Sequence, residues 1–62
     1  MNRKISYTLN KIKKMRERFA DTDMEEKFNE LADEYEKIVL SPNGVRTEIL
    51  HLINSNISSL DI

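Results

Sequence analysis

The sequence has no cysteine and no tryptophan, and it contains one glycine and one proline among 62 residues. Without cysteine, the chain has neither disulfide bonds nor thiolate metal ligands. A single glycine excludes the glycine-rich loops that hold nucleotide phosphates. No apolar run approaches the roughly 18 residues that cross a bilayer, and the N-terminus has no apolar secretory signal. We therefore expect a cytoplasmic protein without membrane association.

Size and charge limit what the chain can do alone. A chain of this length buries only about 60% of the surface that its unfolded form exposes, so its core is marginal. Small domains usually add disulfides, a metal or a second subunit, and this composition favours the last, a homodimer. The net charge of −1 excludes a polycation for nonspecific nucleic-acid binding. Isoleucine, lysine and asparagine supply 19 residues, a usage typical of a low-GC bacterium or its phage.

Apolar residues recur at intervals of three and four along three successive stretches, which predicts three helices. Serine and asparagine near the C-terminus are weak helix formers, which favours fraying of the last residues. The predicted helices cover about 3–19, 23–39 and 45–56, and the frayed tail covers 57–62 of a single domain that spans 1–62.

Short polar residues and the single proline mark the predicted helix ends. Asp21 competes for backbone hydrogen bonds and interrupts the first helix, which Asn2 is expected to cap at its start. Thr22 and Glu25 fit a capping box, in which the hydroxyl and the carboxylate each bond an otherwise unpaired amide of the second helix. The Ser-Pro-Asn-Gly stretch at 41–44 ends that helix, because proline cannot continue the hydrogen-bond ladder.

The second helix carries the most regular pattern in the sequence. Its apolar positions are spaced four, three, four and three, which predicts a heptad seam: Met24, Phe28, Leu31, Tyr35 and Ile38. A short connection makes the first two helices an antiparallel hairpin. The third helix either folds back over this hairpin or pairs with its copy in a dimer. The expected fold class is all-α, an antiparallel helical hairpin plus a shorter third helix in a small bundle completed by homodimerisation.

Charge is divided between the first two helices. Residues 1–19 have a net charge of +6, and residues 20–38 have a net charge of −6. Helical geometry directs four carboxylates of the second helix away from the predicted seam and from the first helix: Asp23, Glu26, Glu30 and Asp33. This face is either merely solvated or an acidic docking surface for a basic partner.

The first helix carries a basic stripe beside its apolar face. Four cations and one aromatic ring project within a narrow arc: Lys4, Tyr7, Lys11, Lys14 and Arg18. A basic stripe with an aromatic is typical of a helix that contacts phosphates and stacks on bases. No zinc ligands or helix-turn-helix pair support it, and the acidic second helix is expected to repel nucleic acid nearby.

No catalytic or metal site is assembled in the sequence. Glu48 and His51 form a Glu-x-x-His step, which is half of a ligand set for two metal ions. The remaining ligands would have to come from acids that point outward, and no third group completes a catalytic triad. We therefore expect a protein that is not an enzyme and has no cofactor.

Three hypotheses for the function follow from these patterns. The first is a small regulatory or adaptor protein, a homodimer that binds a protein partner through helix faces. Its acidic face guides the partner, and the dimer or partner groove is formed by Ile49, Leu52, Ile53 and Ile57. The alternatives are a nucleic-acid-associated regulator that uses the basic stripe, and a purely structural oligomerisation element.

Overall fold

Three helices make up the bundle, which is described by a computed structural model over residues 3–60. They are α1 (Arg3–Phe19), α2 (Glu25–Val39) and α3 (Thr47–Leu60), and this described part of the chain contains no strand. The all-α prediction is therefore confirmed. The predicted cap Asn2 and positions 61–62 of the predicted tail lie outside the described residues.

Helices α1 and α2 form the predicted antiparallel hairpin. The rings of Phe19 and Phe28 meet beside the turn, with their centroids 5.2 Å apart. Farther from the turn, the Arg16 guanidinium donates to the Glu36 carboxylate near the end of α2. An earlier residue of α1 thus contacts a later residue of α2, which means that the two helices are antiparallel.

Helix α3 returns along the other side of α1 and runs in the same direction as α1. Lys4 shares a cleft with His51, and Lys14 shares the next cleft with Ile57, so the contacts advance together along both helices. Helix α1 packs against both neighbours, while α2 and α3 contact each other less. Of the two arrangements open to the third helix, the structure has the one that closes a bundle within one chain.

All three helices contribute to one hydrophobic core. The buried apolar residues are Ile12, Met15, Phe28, Ala32, Val39, Leu50, Ile53 and Ile57. Partly buried residues pack around them: Ile5, Leu9, Phe19, Tyr35 and Val45. Because α1 lies between the other two helices, its apolar face covers both α2 and α3.

The predicted seam of α2 is wrong in register at three of its five positions. Phe28 and Tyr35 do pack into the core, but the other inward positions are Ala32 and Val39. Leu31 is instead 37% exposed, and the predicted seam residues Met24 and Ile38 are exposed as well. The buried set keeps a spacing of three and four and shares Phe28 and Tyr35 with the predicted one. Its other two positions lie one residue later, so the buried face is turned by about 50° around the helix.

The predicted end of the third helix is also wrong. Helix α3 begins at Thr47 and continues to Leu60, through the serines and asparagines that predicted fraying. Ile57, placed in the predicted tail, is fully buried against α1. Tertiary packing of an apolar face outweighs weak intrinsic helix propensity here.

The turn between α1 and α2 contains hydrogen bonds that differ from the predicted capping box. The Thr22 hydroxyl donates to the Phe19 carbonyl at 2.6 Å and accepts from the Met24 amide at 3.2 Å. The Glu25 carboxylate accepts from the Asp21 amide at 3.0 Å instead of the Thr22 amide. The same two side chains thus cap the turn, but each bonds an amide one residue earlier than predicted.

Asp21 has a φ of +63°, in the left-handed region where side chains other than glycine are strained. We expect Asp21→Gly to raise the free energy of unfolding by up to about 1 kcal/mol and Asp21→Val to lower it by about 1–2 kcal/mol. Urea titrations of the three proteins measure both changes. Asp23→Gly is the control, because it removes the same charge from a residue without positive φ and should not stabilise.

Candidate functional site

An apolar groove runs between α2 and α3 on the side away from α1. Ile38 and Ile49 line one shared depression of about 560 Å³. The Asn56 amide of α3 donates to the Tyr35 hydroxyl of α2 at 3.4 Å, which fixes the two helices side by side. The depression lies at the loop end of the two helices, where Ser41, Gly44, Val45 and Arg46 also line it.

Eight large hydrophobic side chains are exposed among the described residues. Helical geometry places six of them on the flanks of α2 and α3 that carry Ile38 and Ile49, and we call these two flanks together the apolar groove. At the start of α2 and along it they recur every seventh residue. On α3 they follow the flank that carries Asn56, so each set forms one stripe. The members of the apolar groove are Met24, Leu31, Ile38, Ile49, Leu52 and Leu60. Leu52 is 57% exposed, which makes it the most accessible of the six.

Only half of the apolar positions predicted for a dimer or partner groove on the third helix are accessible. Ile49 and Leu52 lie in the apolar groove. Ile53 and Ile57 are buried in the core of their own chain, so the prediction that they contribute to an intermolecular groove is wrong. The wide apolar arc of α3 is divided between the core and the groove.

A second concave surface, the basic cleft, lies between α1 and α3. Its main part has a volume of about 570 Å³, and an adjoining part of about 360 Å³ shares Tyr7, Lys11 and Ser58 with it. The main part is lined by Arg3, Lys4, Tyr7, Lys11, Thr47, Leu50, His51, Asn54, Ser55 and Ser58. The adjoining part extends the lining to Asn10, Lys14, Met15 and Ile57.

The basic cleft contains four of the five residues predicted for nucleic-acid contact. Lys4, Tyr7, Lys11 and Lys14 line it, whereas Arg18 is not among the lining residues. Sequence reasoning missed the wall that α3 supplies, with its histidine, hydroxyls and amide. Those residues become part of a site only when α3 docks beside the basic stripe.

Thr8 joins α1 to α3 at the base of the basic cleft and is fully buried. Its hydroxyl oxygen lies 3.0 Å from Oδ1 of Asn54 and 3.1 Å from the backbone carbonyl of Lys4. The Lys4 carbonyl already satisfies this buried hydroxyl within α1, and the contact with Asn54 adds a polar link between α1 and α3. The apolar spacing of α1 gave no indication of Thr8, because a polar residue interrupts that pattern.

On the opposite side of α1, Arg16 holds α2 through one guanidinium group. Its Nη2 donates to Asp33 at 2.7 Å and to Glu36 at 2.9 Å, and its Nη1 donates to Asn29 at 3.0 Å. The hydrogen bond to Asp33 raises the pKa of Arg16, burial lowers it and Glu36 raises it, with a net upward shift. Arg16 therefore stays charged and fixes the register of the hairpin.

The acidic face of α2 is smaller than the sequence predicted. Asp33 was expected to point away from α1, but it pairs with Arg16, and that expectation is wrong. Asp23, Glu26 and Glu30 are exposed, as a solvated face or a docking surface requires. The Asp33 side chain is itself 66% exposed, so its pair with Arg16 contributes at most about 1 kcal/mol.

Glu48 and His51, the residues considered for a metal site, are both exposed on α3. Across residues 3–60, no group of three or more histidine, aspartate or glutamate side chains is placed to hold a metal ion. His51 instead lines the basic cleft, as Arg3 and Lys4 do. Its position is that of one polar group in the lining of the cleft.

Comparison with known proteins adds no relative. No protein-family model matches the chain, and neither the curated proteins nor the solved structures contain a significant match. Within the described part of the chain, no helix has both the length and the hydropathy needed to cross a bilayer. The two concave surfaces must therefore be interpreted from their own chemistry.

Proposed function

We propose that this chain is a small non-enzymatic regulatory or adaptor protein that binds a protein partner through the apolar groove. The observation that supports this is that six large hydrophobic side chains are exposed, on the two helix flanks that carry Ile38 and Ile49. Single exposed hydrophobic residues are ordinary, but a contiguous apolar patch rimmed by polar residues is typical of a protein-binding site.

An amphipathic helix of the partner is the occupant that this groove favours. The two walls are antiparallel helices of 15 and 14 residues, which give a groove about 20 Å long at 1.5 Å per residue. A helix of three to four turns presents a convex apolar stripe to such a groove. A second copy would set one concave face against another and leave a void between them.

Charge beside the groove supplies orientation. The exposed Glu26 and Glu30 lie on the solvent side of α2, and the exposed Asp23 lies in the turn just before it. Acidic groups at the rim of an interface speed association with a basic partner more than they add affinity. We therefore propose a partner helix with an apolar stripe and basic flanks.

Charge introduced into the groove tests this function. We expect Leu52→Glu to weaken partner binding at least about thirtyfold, because a central apolar contact is typically worth about 2 kcal/mol. Affinity purification from the source cell identifies the partner, and calorimetry with the purified partner measures the dissociation constant. Leu31→Glu, on the other wall, should give the same loss.

Leu40→Glu is the matched control for these variants. Leu40 is an exposed leucine of similar accessibility that borders Asp33 and Glu36 instead of the groove. Equal weakening by Leu40→Glu, or full binding by Leu52→Glu, would contradict the proposed site. Light scattering tests the oligomerisation alternative by measuring the mass of the protein in solution. If the protein alone were a dimer and Leu52→Glu dissociated it, a second copy of the chain would be the molecule that fills the groove.

A further inference from the structure

The basic cleft lies on the opposite flank of α3 from the apolar groove, and binding of a partner helix does not use it. Along α3, His51 and Ser58 project about half a turn away from Ile49, because successive residues are about 100° apart. The two concave surfaces are therefore separate, and each of them can be occupied while the other is empty.

The lining of the basic cleft selects for an anion. Arg3, Lys4, Lys11 and Lys14 follow α1 over about 16 Å at 1.5 Å per residue. None of the described residues that line either part of the cleft is an aspartate or a glutamate. A row of cations over this distance matches a ligand with several phosphates in series better than a single small anion.

Helix α3 adds neutral hydrogen-bonding groups to the opposite wall. Thr47, Ser55 and Ser58 contribute hydroxyls, and Asn54 contributes an amide. Hydroxyl and amide side chains, together with lysine and arginine, are the groups that contact phosphate oxygens and sugars in nucleic-acid complexes. The cleft thus offers charge on one wall and uncharged donors on the other.

An aromatic ring lies where the two parts of the cleft meet. Tyr7 is 59% exposed and lines both parts. The Lys11 ammonium lies 5.7 Å from the ring centroid, near the outer limit of a cation–π contact. An exposed ring beside a cation can stack on one base while the cation contacts the adjacent phosphate, an arrangement that requires an unpaired base.

The acidic residues of α2 do not oppose an anion in the cleft as the sequence suggested. Asp33 and Glu36 are paired with Arg16 on the flank of α1 that faces α2, whereas the cleft lies on the flank that faces α3. The molecule measures 34 × 21 × 16 Å, and charges in physiological salt are screened over about 8 Å. A net charge of −1 therefore coexists with a local surface that attracts anions.

We propose that the basic cleft binds the backbone of a single-stranded nucleic acid, with one base stacked on Tyr7. The cations of α1 contact successive phosphates, and the hydroxyls of α3 contact phosphate or sugar oxygens. Recognition rests on the backbone and on stacking, so it is tolerant of sequence. A duplex, with its bases stacked inside, cannot use Tyr7 and binds more weakly.

Fluorescence anisotropy with a labelled oligothymidine measures this binding at several salt concentrations. With about four phosphate contacts, the logarithm of the affinity should fall with the logarithm of the salt concentration with a slope of about −3. Lys11→Glu should reduce the steepness of that slope by about 1 and weaken binding about tenfold. Tyr7→Ala should weaken single-strand binding between about fivefold and a hundredfold, while Tyr7→Phe keeps it.

Lys13→Glu is the charge-matched control for Lys11→Glu. Lys13 is exposed on the same helix and does not line the cleft, so its reversal changes the net charge equally without touching the site. Circular dichroism confirms that each variant keeps its helices.

Three results would overturn the proposal. One is the absence of oligothymidine binding by the unmodified protein. Another is that Lys13→Glu weakens oligothymidine binding as much as Lys11→Glu does, which would show that the net charge, and not the cleft, attracts the oligonucleotide. The third is binding that is not specific for a single strand, shown by equal affinity for a duplex or by binding to phosphatidylserine vesicles in place of the oligonucleotide. None of these results bears on the apolar groove, so the proposed function stands or falls separately.

Discussion

Replacing Ile57 by alanine should lower the free energy of unfolding by about 2–5 kcal/mol, the usual cost of removing a fully buried isoleucine side chain. A single core of this size rarely supplies more than about 3–5 kcal/mol. A large fraction of the variant should therefore be unfolded at room temperature, with a visible loss of the circular dichroism signal at 222 nm.

The sign of this change in stability shows whether the C-terminal segment is packed on α1 or frayed. Alanine has a higher helix propensity than isoleucine, so in a frayed or unpacked tail the same change would be neutral or slightly stabilising. Leu52→Ala on the same helix is the control, because Leu52 is mostly exposed and its truncation should cost much less. A stable Ile57→Ala variant would mean that α3 does not pack on α1.

Replacing Ala32 by leucine should destabilise the hairpin by about 1–3 kcal/mol, because Ala32 is fully buried and the larger side chain overpacks its site. In a domain of this size, each kcal/mol lowers the melting temperature by about 4–8 °C. Thermal unfolding followed at 222 nm measures the shift.

Ala20→Leu is the control for added bulk, since Ala20 is exposed in the turn and its enlargement should change stability by less than about 0.5 kcal/mol. Leu31→Gln tests the same register of α2 at a position that the structure exposes, so it should have little effect on stability. If Leu31→Gln unfolded the protein while Ala32→Leu did not, the seam would have the register that the apolar spacing predicted.

The seam of α2 shows what periodicity can and cannot determine. Two heptad stripes share Phe28 and Tyr35, and both are consistent with the sequence. One is completed by large residues such as Leu31, and the other by the small Ala32. Hydrophobicity favours the first stripe, but the structure buries the second, in which Ala32 is fully covered. Which side of a helix lies nearest its neighbour is a tertiary property that spacing alone does not encode.

Helix boundaries were predictable where local chemistry sets them. The first helix has the predicted bounds, 3–19, because short polar residues end it locally. The end of α3 was not predictable in this way, because Ile57 gains its burial from α1, about forty residues earlier in the chain. Propensity scales do not include that contact.

The residues of a candidate surface could be predicted from the sequence only where they lie on a single helix. The basic stripe of α1 was found from the sequence, since its residues share one helix face. The hydroxyl and imidazole wall opposite it was not found, because Ser58 and His51 join the cleft through the docking of α3. The contact between Arg16 and Asp33 likewise depends on a hairpin register that charge counting does not reveal.

The central position of α1 has a consequence for cleavage of the chain. A cut between Val39 and Thr47 would leave both helices of the hairpin and remove α3. In such a fragment Thr8 and Met15 would have no cover on their α3 side. The fragment should therefore be digested by proteases faster than the intact chain, in which Ile57 is buried.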